Sequence, residues 1–100
     1  TGEIGTSGYM APEVMLGPYN YSADTFSLSV VIWQLFSMTG CKSNPLFGKE
    51  EAVLYEQLRP VMEPEHSTSI RVLCNRGWKN DANARPSPTA MLSMLNEMGI

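Results

Sequence analysis

Between residues 26 and 36 the chain carries Phe26, Leu28, Val30, Val31, Ile32, Trp33, Leu35 and Phe36. Wound as a helix, these side chains cover almost every side of the cylinder instead of forming one stripe. A helix apolar all round must be buried all round, so any fold adopted by this chain has to surround the segment. Ser22 reads as the cap of a helix beginning at Ala23 and running to about Met38, with Gly40 as its left-handed terminator. The greasiest part, Leu28 to Met38, contains Ser29, Gln34 and Ser37 and falls short of the roughly 20 residues needed to span a bilayer, which marks a core helix and no membrane span. The remaining pieces are short and amphipathic, too little to cover such a rod, and this is the first sign that further structure is required around it.

Turn signals divide the rest of the chain into helix, loop, helix, without internal repeats or low-complexity stretches, so the fold class is all-α. Residues 1 to 8 carry several glycines and no apolar periodicity, a loop that needs backbone freedom. Pro12 opens a short helical turn through Met15, stopped by Gly17-Pro18. Lys49 to Leu58 reads as a helix presenting Leu54 and Leu58 on one side until Pro60 ends it. Ser67 or Ser69 starts the next, with Ile70, Leu73 and Cys74 at helical spacing, Gly77 after its last turn and Trp78 as an anchor. The last helix has Ser87 as cap, Pro88 at the first helical position, and Met91, Leu92, Met94, Leu95 and Met98 as the buried stripe before Gly99.

With 43% apolar and 17% charged residues over 100 positions, the chain is one globular unit or part of one. The net charge of -3 comes from scattered acids and bases with no basic stripe, which argues against nucleic acid as a partner. Cys41, Cys74 and the lone His66 cannot assemble a zinc set, so no metal is expected, and both cysteines read as reduced and cytoplasmic. The chain opens on Thr1 without a signal-peptide pattern, which suggests a fragment.

Gly5-Thr6-Ser7-Gly8-Tyr9-Met10-Ala11-Pro12-Glu13 resembles the segment that closes the activation segment of protein kinases. Ser22-Ala23-Asp24-Thr25-Phe26-Ser27 is similar to the start of the kinase F helix. Trp78 and Asn80 to Ser87 resemble the stretch between the H and I helices. The order and separation of the three motifs extend the resemblance over residues 1–100, as a partial kinase domain comprising the end of the activation segment and the F, G, H and I helices. The wording looks most like the tyrosine-kinase-like group of Ser/Thr kinases.

The resemblance implies roles residue by residue. Glu13 should meet Arg85 as a fork-to-carboxylate pair that pins the substrate loop to the lobe; from periodicity alone both would be surface charges of little weight. Ala11, Pro12, Trp33 and Trp78 are structural. Asp24 resembles the aspartate that accepts backbone N–H bonds from the catalytic loop, while its plainer role is a first-turn acid favouring the helix dipole. Gly5, Thr6, Ser7, Gly8 and Tyr9 would cradle the substrate residue after the phosphoacceptor, Thr6 would support the catalytic Asp, and Thr1 is a candidate phosphosite. Gln34 stands where kinases that favour basic substrates often carry Glu. Ser29 departs from the usual F-helix Gly, and Ala82 from the usual Asp-Pro step.

The Gly-rich loop, the strand Lys, the His-Arg-Asp loop and the Asp-Phe-Gly metal ligand used for phosphoryl transfer do not occur in these residues. The expectation is therefore a catalytically inactive piece that binds no cofactor, cut from a Ser/Thr kinase that uses ATP and Mg on a protein substrate and carries the missing N-terminal part of the domain. The alternative is a pseudokinase or scaffold whose helices dock partners. In isolation the uncovered central helix is expected to bind a hydrophobic probe and to favour association.

Overall fold

The computed structural model describes residues 8–15, 22–37 and 44–99. Among these the order is a 3-10 turn at Pro12–Met15, α1 at Ser22–Leu35, α2 at Glu50–Tyr55, α3 at Thr68–Gly77, a second 3-10 turn at Ala82–Ala84, and α4 at Pro88–Glu97. No strand occurs among the described residues. The family resemblance aside, all-helical architecture is what the capping and periodicity signals require.

α1 is the axis of the molecule and packs against α3, α4 and the second 3-10 turn, while α2 lies on the first turn. Its inner side contributes Phe26, Val30 and Trp33, which meet Ile70, Leu73 and Cys74 of α3 and Met91 of α4 in one core. The described residues do not bury the helix all round. Leu28 and Val31 keep 37% exposure and Leu35 keeps 63%, a stripe at helical spacing that the described residues cover only in part. Ser22 is the first helical residue and not the cap, and α1 ends at Leu35. Beyond it Phe36 and Ser37 donate backbone bonds to Ile32 and Gln34, and the Ser37 hydroxyl donates to the Trp33 carbonyl at 3.0 Å, so these three carbonyls near the helix end are satisfied. Met38 and Gly40, the expected end and terminator, lie outside the described residues, as do Gly17-Pro18.

α3 and α4 start where side-chain oxygens cap them. Ser67 Oγ accepts from Ile70 N–H at 3.3 Å, and Ser87 Oγ accepts from Ala90 N–H at 3.1 Å with Pro88 following. Gly77 is the last residue inside α3, not a terminator after it; the cap is Trp78, whose N–H donates to Cys74. In α4, Met91 is fully buried and Met94, Leu95 and Met98 pack on the core, but Leu92 points outward at 58% exposure. α2 is shorter than Lys49–Leu58 because Gln57 takes a left-handed φ of 54° and turns the chain back, so that Leu58 N–H donates to Ala52. Its buried residue is Val53, not Leu54.

Candidate functional site

Among the described residues the most heavily bonded side chain is Arg85, just after the second 3-10 turn. Its guanidinium donates to both carboxylate oxygens of Glu13, at 2.6 and 2.9 Å, in a bidentate pair. The remaining N–H groups reach Ser22 O at 3.0 Å, Lys79 O at 2.8 Å and Asn80 O at 3.5 Å, so every donor of the fork has an acceptor. The Arg85 side chain is 0% exposed and that of Glu13 24%. Residues distant in the chain are thereby tied together: the Ala11-Pro12-Glu13 turn, the start of α1 and the link from α3 to α4. Thr25 adds a second tie, its hydroxyl donating to Pro86 O at 3.0 Å.

Beside this pair stands a second guanidinium that the sequence did not single out. Arg59 donates to Trp78 O at 2.7 Å and to Leu58 O at 2.8 Å, and both Arg59 and Arg85 lie over the Phe26 ring, at 4.9 and 5.2 Å from its centre. Burial, reinforced by the nearby Arg85 charge and opposed by Glu13, pulls Arg59 down to about 10, still a cation at neutral pH. Glu13 is the carboxylate that balances this crowded positive cluster.

Of the residues proposed to cradle substrate, Gly8 and Tyr9 are described; Gly5, Thr6, Ser7 and the candidate phosphosite Thr1 lie outside the described residues. Tyr9 is anchored on α1 at both ends: Ser27 Oγ donates to its carbonyl at 2.6 Å, and its own hydroxyl donates to Gln34 Oε1. Gly8 has a left-handed φ of 93°, and a Cβ there would stand 2.5 Å from Asn44 Nδ2, which donates to the Gly8 carbonyl at 2.9 Å. Only glycine fits both the conformation and the space. Ser27, Gln34 and Asn44 thus form the frame of the loop end. Their contacts join residues remote in sequence, and no local pattern announces them.

Asp24 is exposed and shares its helical line with Leu28, Val31 and Leu35, the uncovered side of α1. On the covered side, Ser29 is fully buried with its hydroxyl donating to Thr25 O at 2.9 Å, and a Cβ at Gly77 would come within 1.7 Å of Ser29 Oγ. The hydroxymethyl at 29 therefore requires hydrogen alone at 77. Trp33 donates from Nε1 to Val61 O at 2.9 Å and stacks on His66, whose ring nitrogens bond Glu63 N–H and Trp33 O. Trp78 is buried and donates to Asn75 Oδ1 at 3.2 Å. Asp81 takes the place of a rigid Asp-Pro step by accepting from Asn83 N–H at 2.9 Å ahead of Ala82–Ala84. Among the described residues no cluster of His, Cys, Asp or Glu is arranged to hold a metal ion, and no helix is long and apolar enough to cross a membrane.

The family described as protein tyrosine and serine/threonine kinase matches residues 2–95. The chain belongs to the protein kinase family. It is 33% identical to the dual specificity protein kinase shkD of Dictyostelium discoideum over 94% of its length, and 33% identical to the serine/threonine-protein kinase STY17 of Arabidopsis thaliana over 98%. A further relative, the serine/threonine-protein kinase STY46 of Arabidopsis thaliana, is 32% identical over 98% of the chain. The kinase chain spans 13%, 18% and 17% of the lengths of these relatives, so it corresponds to a part of such proteins.

Proposed function

We propose that this chain is the substrate-facing scaffold of an ATP-dependent Ser/Thr protein kinase, inactive by itself and completed by the N-terminal part of the same domain. Gly5 to Tyr9 holds the residue that follows the phosphoacceptor, and Thr6 hydrogen-bonds the catalytic Asp supplied by that part. ATP and Mg are held by groups outside these residues, since the sequence contains neither the family's Gly-rich phosphate loop nor its Asp-Phe-Gly metal ligand. The chain's own contribution is positional: an acceptor hydroxyl must be held in line with the transferring phosphoryl, and small displacements cost rate. Asp24 projects from the uncovered side of α1, where an incoming catalytic loop can donate to it.

The observation that carries this reading is the Arg85 fork, which fixes Glu13, and through it the loop end at Gly8 and Tyr9, to the helical core. A surface ion pair would not anchor a loop; a fully bonded, buried guanidinium does. The test is phosphate transfer by the whole polypeptide. It is expected to label Ser or Thr on a protein substrate, with Glu13→Gln and Thr6→Ala each lowering kcat. The scaffold alternative would be supported by a folded whole polypeptide that transfers no phosphate yet retains partner binding.

A further inference from the structure

Tyr9 is held on both of its peptide planes by groups from two different places in the fold. On the downstream side, Ser27 Oγ of α1 donates to the Tyr9 carbonyl at 2.6 Å. On the upstream side the anchor is Asn44, whose Nδ2 donates to the Gly8 carbonyl at 2.9 Å and so sets the plane of the Gly8–Tyr9 peptide. Gly8 needs such an anchor: its φ of 93° lies in the left-handed region, and a glycine that nothing holds moves freely between positive and negative φ. Asn44 is itself held. Its Oδ1 accepts from Leu46 N–H at 2.9 Å, its carbonyl accepts from Phe47 N–H at 3.2 Å, and Leu46 sits in the core at 1% exposure. The carboxamide orientation is forced, because turning it over would set its NH2 against the Leu46 N–H and its oxygen against the Gly8 carbonyl. The position therefore asks for a donor and an acceptor on one short planar group, which asparagine supplies and aspartate does not.

We propose that Asn44 is a positioning residue for phosphoryl transfer: through the Gly8 carbonyl it keeps the Gly8–Tyr9 peptide from flipping, and so holds the cradle of the residue after the phosphoacceptor in one conformation. The proposal rests on the reading of Gly5 to Tyr9 as that cradle. Asn44 acts through the backbone of the loop and not on the reacting atoms, tying the loop by way of Leu46 to the helical core. The Glu13–Arg85 pair fixes the chain just downstream of the loop, and Asn44 is the corresponding hold further up. Ser27 and Gln34 do not replace it, because they hold the Tyr9 carbonyl and hydroxyl, both beyond the peptide that would flip. A flip puts a carbonyl where an N–H stood. Since misplacement by about 1 Å costs up to about 100-fold in rate, a cradle that samples both orientations transfers phosphate slowly even to a substrate it still binds.

The test compares Asn44→Asp with wild type in the whole polypeptide. The aspartate side chain has nearly the same shape and keeps an oxygen for the Leu46 N–H, so the turn stays and only the donor to the Gly8 carbonyl is lost. Asn44→Ala is the second variant, which removes the donor without adding a charge. Phosphate transfer is followed on a Ser peptide with no charges near the acceptor. Hydrogen exchange read by mass spectrometry follows the segment holding Tyr9 and Met10 and, separately, α2. Both variants are expected to lower kcat about 10-fold while the KM for ATP stays within about twofold. Exchange at Tyr9 and Met10 should quicken about 10-fold, with α2 in Asn44→Asp keeping its wild-type protection and melting temperature. A kcat within about twofold of wild type in both variants overturns the role of Asn44 and leaves the kinase reading standing, as does unchanged exchange at Tyr9 and Met10. A loss of kcat matched by the KM for ATP and by the melting temperature marks general damage to the fold and also overturns it. If the wild-type polypeptide transfers no phosphate, the kinase reading falls and the role in transfer with it, while the exchange data still decide whether Asn44 holds the loop.

Discussion

Val30 and Val31 are neighbours on α1 with the same side chain, yet Val30 is fully buried and Val31 keeps 37% exposure. The same contrast separates Phe26, at 0%, from Leu28, at 37%. On one side, α3, α4 and the Arg85 fork close over the helix; on the other, Asp24 heads an open apolar stripe ending at Leu35. Intrinsic hydrophobicity does not distinguish the sides, since both are greasy. What differs is the supply of covering structure: the described residues close over one side of a helix that is apolar on both.

The sharpest way to break this comparison is Phe26→Ala against Leu28→Ala. Urea unfolding of the chain should show a loss of about 3–5 kcal/mol for the first, which also strands two guanidiniums over an empty site, and within about 1 kcal/mol for the second. Arg85→Met comes next. It leaves the Glu13 carboxylate without its fork, and the expected loss is at the lower end of the roughly 3–5 kcal/mol for breaking a buried pair, because Glu13 keeps 24% exposure. Gly77→Ala should cost about 1–3 kcal/mol through overpacking against Ser29, and the double variant with Ser29→Gly should recover most of it; strict additivity of the two would mean that they do not touch. A smaller, pH-dependent effect belongs to Cys74, whose thiol burial pushes up from 9.0 to about 12. The folded state favours the neutral thiol, so its contribution is complete below pH 9 and fades as pH climbs toward 12. Cys74→Ala should flatten that part of the alkaline stability curve. Least affected is the chain carrying Gln57→Gly, which relieves a left-handed φ of 54° and should gain about 0.5–1 kcal/mol in the same unfolding assay.

What the sequence disclosed follows from the range of the interactions involved. α4 was legible from Ser87 and Pro88 alone, because a cap and its first turn are local. The inward face of α3 was equally open to view from Ile70, Leu73 and Cys74 at helical spacing. Leu92 misled, since an apolar residue beside a stripe is indistinguishable from one within it until the neighbouring helix is placed. Gly77 looked like a terminator, but its reason is Ser29 on another helix. α2 stopped early because of the backbone at Gln57, where no residue type advertised a left-handed turn. In the candidate site, the contact of Glu13 with Arg85 could be anticipated only from motif resemblance, as charge and spacing alone suggest two surface residues. Arg59, Asn44 and Ser27 act through carbonyls far away in the chain, and no pattern of side chains encodes which carbonyl a donor will find.

The central claim, that the open side of α1 is an interior surface of a complete kinase domain, is tested most directly at Val31. In the whole polypeptide, with Cys41 replaced by Ser, Val31→Cys should react with a maleimide far more slowly in native buffer than in denaturant. Labelling as fast in native buffer as in denaturant would show that this side faces water in the complete protein and would contradict the account.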